Sequence, residues 1–167
     1  KCFDPVFLKF GKKVYTYKYI EKLRKENLQL KKDGKPIYNL IPQKGFQEKV
    51  LLTQADIKIV GGKRGGGKTW LALFEALPYM FNPDVNMYGF RKYEDDVKRG
   101  IWKSGKQVYR GFGILSDSYF EVKFLDGKGA SMKMEHLAEE KKISDRFRGV
   151  EMAYIVIEEL AEHTKEN

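Results

Sequence analysis

The chain has 167 residues, 42% hydrophobic and 33% charged, which suits one folded domain with its own core rather than a disordered tail. No uninterrupted apolar run approaches the ~20 residues that a membrane-spanning helix needs, and a single cysteine (Cys2) with two histidines excludes a disulfide framework and a Cys/His zinc site. The net charge of +9 is uneven: residues 1–36 carry 11 Lys/Arg and 4 Asp/Glu, a net of +7, which leaves +2 for the other 131 residues. A basic arm suits a polyanionic partner and, equally, a solvated surface. No signal-peptide pattern is visible, and the chain begins at Lys1 rather than Met, as a trimmed fragment would. The cysteine usage fits a reducing compartment such as a cytoplasm.

Lys1–Tyr19 interleaves Phe3, Phe7, Phe10, Tyr15, Tyr17 and Tyr19 with lysines, and the alternation over Val14–Tyr19 predicts a strand. Such a mix can stack on single-stranded nucleic acid, although a small local core is the simpler reading. Glu21–Lys32 predicts a helix with Ile20, Leu23 and Leu30 on one face, stopped by Gly34 and Pro36. Asn39–Gln43 reads as an extended connector. Gly45–Gln54 reads as a second helix with Phe46, Val50 and Leu51 turned inward. The Gln47 amide offers a donor and an acceptor side by side, which suits an adenine edge, though a glutamine on a helix carries no such meaning alone.

The next stretch organises the rest. A β-rich run, Ile57–Val60, feeds a glycine-rich turn and then an apolar helix. Gly62, Lys63, Arg64, Gly65, Gly66, Gly67, Lys68 and Thr69 fit the G-x-x-x-x-G-K-[ST] pattern of a phosphate-binding loop. Glycines let the backbone curl around phosphate oxygens, and the helix N-terminus adds unpaired donors and partial positive charge. The Lys68 ammonium suits the β- and γ-phosphates, and the Thr69 hydroxyl suits Mg²⁺. The alternative is a plain glycine-rich turn, which the strand-to-helix setting disfavours.

Beyond the loop, Trp70, Leu73, Phe74 and Leu77 recur at helical spacing, with Leu71, Ala72 and Ala76 on the flanks and Pro78 and Pro83 bounding the end. Val85–Phe90 predicts a strand. Arg91 and Lys92 follow it, where open α/β sheets place a ligand crevice; they suit phosphate or DNA, or a plain charged surface. Tyr93–Tyr109 predicts a helix with Val97, Ile101, Trp102 and Val108 as its apolar residues. Tyr119–Leu125 and Ala130–His136 predict a β-hairpin around Asp126–Gly129. His136 reads as a nucleotide sensor or as an ordinary polar strand end. Ala138–Phe147 predicts a charged helix, with Arg146 and Arg148 facing phosphate, DNA or solvent. Finally, Met152–Leu160 reads MAYIVIEEL, an apolar run that predicts a strand buried on both faces, ending in Glu158 and Glu159. Paired acids there suit a site in which one holds the Mg²⁺ shell and the other polarises the attacking water.

Together these pieces resemble the N-terminal ATPase domain of the large terminase subunit of tailed phages, the motor that pumps DNA into a preformed capsid. The resemblance rests on QKGFQEKVLL, GGKRGGGKT, YGFRKYEDDV, the hairpin ending in KMEHL, and FRGVEMAYIVIEEL, whose spacing is more specific than any one of them. It implies an α/β P-loop NTPase fold of the ASCE type, mainly parallel and flanked by helices, with a β-hairpin insertion. It covers roughly Ile41 to Thr164 and so implies an ATPase domain over 41–167, which leaves the basic N-terminal segment over 1–40 outside it. It further implies that Gln47 reads adenine, Lys68 and Thr69 bind phosphate and Mg²⁺, Arg64 contacts the γ-phosphate, Glu158 sits on the metal side and Glu159 is catalytic. The implied ligands are ATP and Mg²⁺. The implied partners are double-stranded DNA, the portal protein, the small terminase subunit and further copies in a ring, in the host cytoplasm at the procapsid portal, with no membrane.

Two departures stand out. The metal-side acid is usually aspartate, and Glu158 implies a metal held through water. The chain stops at Asn167, before the coupling motif and the nuclease domain, so an incomplete domain without nuclease chemistry is expected. A helicase-like ATPase is disfavoured because Glu158-Glu159-Leu160-Ala161 lacks D-E-x-[HD], and a GTPase because no N-K-x-D is present. A nucleotide-binding module without turnover stays open.

Overall fold

The computed structural model describes residues 17–35, 41–53, 55–63, 65–138, 143 and 145–160. The chain divides into two compact units at the Glu75–Ala76 junction.

The unit up to Glu75 is helical. Its first helix, α1 (Tyr17–Lys32), begins earlier than predicted, so Tyr17–Tyr19 are helical rather than the end of a strand. Ile20 and Leu23, three residues apart, are 0% and 3% exposed, and their burial on one helical face outweighs the alternation of the tyrosines. The residues of that expected strand before Tyr17, and Pro36, lie outside the described residues. Gly34, at φ +66°, ends α1. The Gly34 N–H donates to the Lys31 carbonyl at 3.3 Å and the Lys35 N–H to the Leu30 carbonyl at 2.9 Å, a left-handed cap that satisfies the last carbonyls.

Helix α2 (Phe46–Leu52) buries Leu51 as predicted but turns Phe46 outward, at 42% exposed, and buries Gln47 and Glu48 instead. Charge decides this orientation. The Glu48 carboxylate accepts from the Gly45 N–H at 3.0 Å and pairs with the Arg24 guanidinium. Arg24 also donates to Glu21 at 2.8 Å and to the Pro42 carbonyl at 2.5 Å. A carboxylate with that many donors can be buried where an unpaired one cannot.

Ile57–Val60, expected as a strand, is irregular. Its β-branched residues have no half-buried pleated surface to fit, and Ile57 and Ile59 stay exposed. Lys58 instead pairs with Glu75 of helix α3 (Lys68–Ala76). Leu71, Leu73, Phe74 and Ala76 of α3 are buried, and Trp70 stacks on Phe74 with ring centroids 4.7 Å apart.

The unit from Ala76 onward holds a five-stranded sheet: β1 (Asn86–Arg91), β2 (Gly113–Ser116), β3 (Glu121–Phe124), β4 (Ser131–His136) and β5 (Tyr154–Ile157), in the order β2-β3-β4-β1-β5. The expectation of a mainly parallel sheet with an inserted hairpin is corrected. The β3–β4 hairpin belongs to the sheet itself, because β4 pairs parallel with β1 from Asn86↔Ser131 to Arg91↔His136. The ladders are parallel for β4–β1 and β1–β5 and antiparallel for β2–β3 and β3–β4, so the sheet is mixed with a parallel core.

Between β1 and β2 the chain forms α4 (Glu94–Asp96), a π-helical segment (Val97–Trp102) and α5 (Lys103–Tyr109) without a break. Val97, Ile101, Trp102, Val108 and Tyr109 from these turns join Met87, Val122, Phe124, Met132 and Met134 of the sheet in the core. Burial pushes the Tyr109 phenol well above its ordinary pKa, with Tyr154 adding to the effect. The strand expected to be buried on both faces, β5, lies at the sheet edge. It alternates instead, with Val156 buried and Ile155 and Ile157 exposed. The charged helix expected over Ala138–Phe147 is helical at Ile143, Asp145 and Arg146 among its described residues.

Candidate phosphate loop and acidic pair

In the first unit, the loop is built by backbone conformation. Gly62, Gly65 and Gly67 adopt φ of +140°, +80° and +70°, a region that side chains with a Cβ avoid. The Gly67 carbonyl accepts the Leu71 N–H at 3.0 Å and so opens the first turn of α3, which Lys68 and Thr69 begin. The Lys68 ammonium folds back and donates to the Gly62 carbonyl at 3.0 Å and the Lys63 carbonyl at 2.8 Å. Gln47 is also brought to the loop. Its Nε2 donates to the Gly67 carbonyl at 3.3 Å, and its Oε1 accepts the Gln43 N–H at 2.7 Å. Gly67 is demanded by its φ, and a Cβ there would lie 2.5 Å from that Nε2 and so displace the Gln47 amide. Gln47, Gly62, Lys63, Gly67 and Lys68 thus form one cluster. Arg64 lies outside the described residues.

In the second unit, charge builds the site. Strands β4, β1 and β5 are parallel, so their carboxyl ends emerge side by side and present His136, Arg91 and Glu158 together. The Glu158 N–H donates to the Phe90 carbonyl at 3.0 Å, which extends the β1–β5 ladder to the first acid. Glu159 then turns into the left-handed region at φ +55°, an uncommon conformation for a residue with a side chain and one that concentrates at functional sites. The two carboxylates converge on one guanidinium: Arg91 Nε donates to Glu158 Oε2 at 2.8 Å, and Arg91 Nη1 lies 3.4 Å from Glu159 Oε2. The Arg91 and Glu158 side chains are 15% and 10% exposed and Glu159 is 39% exposed, so solvent screens the first pair little.

Arg91 is the residue whose role sequence reasoning missed. It reads there as a cation facing phosphate, DNA or solvent, whereas it pairs within the protein with both acids. Its one signal was its place at the end of a strand, and the strand order needed to use that signal is not in the local sequence. Arg146, though exposed, also bonds within the protein, donating to the His136 carbonyl at 2.5 Å and lying over Phe147, whereas Arg148 pairs with Asp145. His136 sits beside Arg91 in the ladder with its Nδ1 buried and, among the described residues, without a hydrogen-bond partner. The two adjacent carboxylates of Glu158 and Glu159 are hard oxygen donors, the kind that a divalent cation such as Mg²⁺ accepts.

A five-stranded mixed sheet with a parallel core, flanked by helices, makes this an α/β protein. The profile described as "Terminase large subunit, T4likevirus-type, N-terminal" matches residues 59–167, well over half of the chain, and the chain belongs to that family. Membership implies phage DNA packaging, with ATP as ligand and DNA and the packaging machinery as partners. No curated protein and no solved structure matches the chain. Among the described residues, no helix is long and apolar enough to cross a membrane.

Proposed function

We propose that this chain is the ATPase motor domain of a viral DNA-packaging terminase large subunit, which hydrolyses ATP to translocate double-stranded DNA into a procapsid. One observation carries the reading: in a member of this family, Lys68 and Thr69 begin a helix directly after a loop whose glycines turn at positive φ. In this reading the Gly62–Gly67 backbone cradles the phosphates, and Lys68 exchanges its carbonyl partners for phosphate oxygens. Arg64 meets the γ-phosphate. Gln47 keeps one amide N–H and one oxygen lone pair beyond its contacts to Gly67 and Gln43, which is the capacity that reading an adenine edge takes. Thr69 and Glu158 hold Mg²⁺, which when bound offsets phosphate charge, and Glu159 orients and polarises the attacking water. The partners are double-stranded DNA, the portal protein, the small terminase subunit and further copies in a ring, in the host cytoplasm at the portal.

Steady-state ATP hydrolysis by the full-length protein, with and without duplex DNA, tests this. Turnover that DNA stimulates supports the motor. Nucleotide binding without turnover in both conditions replaces it with a module that uses ATP as a structural ligand.

A further inference from the structure

We propose that Arg91 and Gly100 form a two-part holder that positions the acidic pair. The inference rests on the reading of Glu158 and Glu159 given above. Two adjacent carboxylates repel each other, and left alone their long side chains lose one shared geometry to rotamer freedom. A single guanidinium fixes both: Nε engages Glu158 at 2.8 Å while Nη1 lies 3.4 Å from Glu159. A planar fork with five donors in fixed directions does this where a lysine ammonium cannot.

The fork needs room, and the room comes from the helix that follows β1. Gly100 lies within the π-helical segment Val97–Trp102, and a Cβ built on it would stand 2.6 Å from Arg91 Cζ and 2.7 Å from Nη1. Carbon atoms rest at about 3.5–4.0 Å, so any side chain at position 100 pushes the guanidinium by about 1 Å. Gly100 has no positive φ, so its backbone does not demand glycine. Glycine within a helix forfeits about 1 kcal/mol relative to alanine. A residue that weakens its helix, needs no special backbone and touches the guanidinium is there to leave space for it. A π turn at that point is a further irregularity of the kind found at functional sites. Arg91 and Gly100 act through the acids and are positioning residues.

The test is a cycle of Gly100→Ala, Arg91→Ala and the double variant in the full-length protein, read by urea unfolding and by kcat and KM for ATP. Gly100→Ala is expected to lower kcat by about a hundredfold, the scale for a misplacement of about 1 Å, with KM for ATP nearly unchanged. In the Arg91→Ala background the same change is expected to leave kcat where Arg91→Ala put it and to stabilise the fold, reversing the sign of its effect. Arg91→Lys is expected to restore only part of the loss. If Arg91→Ala does not fold, Gly100→Ala and Arg91→Lys still decide the matter. Wild-type kcat in Gly100→Ala overturns the proposal, as does full activity in Arg91→Lys. Failure of the underlying reading looks different: Glu159→Gln then keeps its turnover, whatever the cycle shows.

Discussion

The phosphate loop and the acidic pair each hold a cation still, by opposite means. Lys68 rests on two neutral carbonyls of a loop whose shape comes from glycine backbone. Arg91 rests between two carboxylates, and its own side chain and that of Glu158 are largely buried while Glu159 is partly open to solvent. A neutral carbonyl yields readily to a phosphate oxygen that carries full charge, so the loop is set to exchange partners. A guanidinium–carboxylate pair sheltered from water does not yield in that way, so Glu158 is set to stay in place. The two glycines that matter most divide along the same line: Gly67 serves the backbone and Gly100 makes room for a charged side chain.

The largest stability effect expected on the loop side comes from its most deeply buried charge pair, Arg24 with Glu48. Arg24→Ala leaves the Glu48 carboxylate buried without its guanidinium, next to Gln47, and is expected to cost about 3–5 kcal/mol in urea unfolding. A loss below about 1 kcal/mol would show that the backbone alone holds this side, since exposed pairs contribute no more than that. Gly67→Ala is expected to cost more than the ~1–2 kcal/mol of a left-handed residue, because its Cβ also meets Gln47. In a Gln47→Ala background the excess is expected to vanish and the φ cost to remain, which separates sterics from conformation.

On the acid side, Glu159 carries a smaller conformational cost. With its carboxylate removed in both variants, Glu159→Gly is expected to be about 1 kcal/mol more stable than Glu159→Ala, because only glycine accepts φ +55° freely. Equal stabilities would show that the left-handed turn relaxes once the carboxylate is gone.

The smallest effect concerns pH. The Lys106 ammonium, and secondarily the Trp102 indole N–H, hold the Asp117 carboxyl below its ordinary pKa. A depressed folded-state pKa gives stability that is present above the unfolded value, near ~4, and is lost as pH falls through the folded one. Asp117→Asn is therefore expected to lower stability slightly at neutral pH, to leave it almost unchanged in acid well below pH ~4, and so to flatten the acid limb of the unfolding curve.

What was legible in the sequence follows the same physics. Helix α3 and the β3–β4 hairpin announce themselves through local period and turn chemistry. The long helix after β1 does so through Val97, Ile101 and Val108, although its π turn does not. Ile57–Val60 misled because β-branched residues signal a strand only where a sheet edge meets them. The inward face of α2 misled because Glu48 is buried by a partner 24 residues away, Arg24, rather than by its own hydrophobicity. The edge position of β5, the short β2 and the Arg91 bridge all depend on strand order, and the β1 and β5 residues that meet are 67 positions apart at Arg91 and Glu158.

The account's central claim is tested most directly by Glu159→Gln in the full-length protein, with ATP binding and ATP hydrolysis measured on the same preparation. The amide keeps the size of the side chain and removes the charge that polarises water. Turnover is expected to fall by about a thousandfold or more while ATP affinity stays within a few-fold of wild type. Hydrolysis at the wild-type rate in that variant would contradict the account.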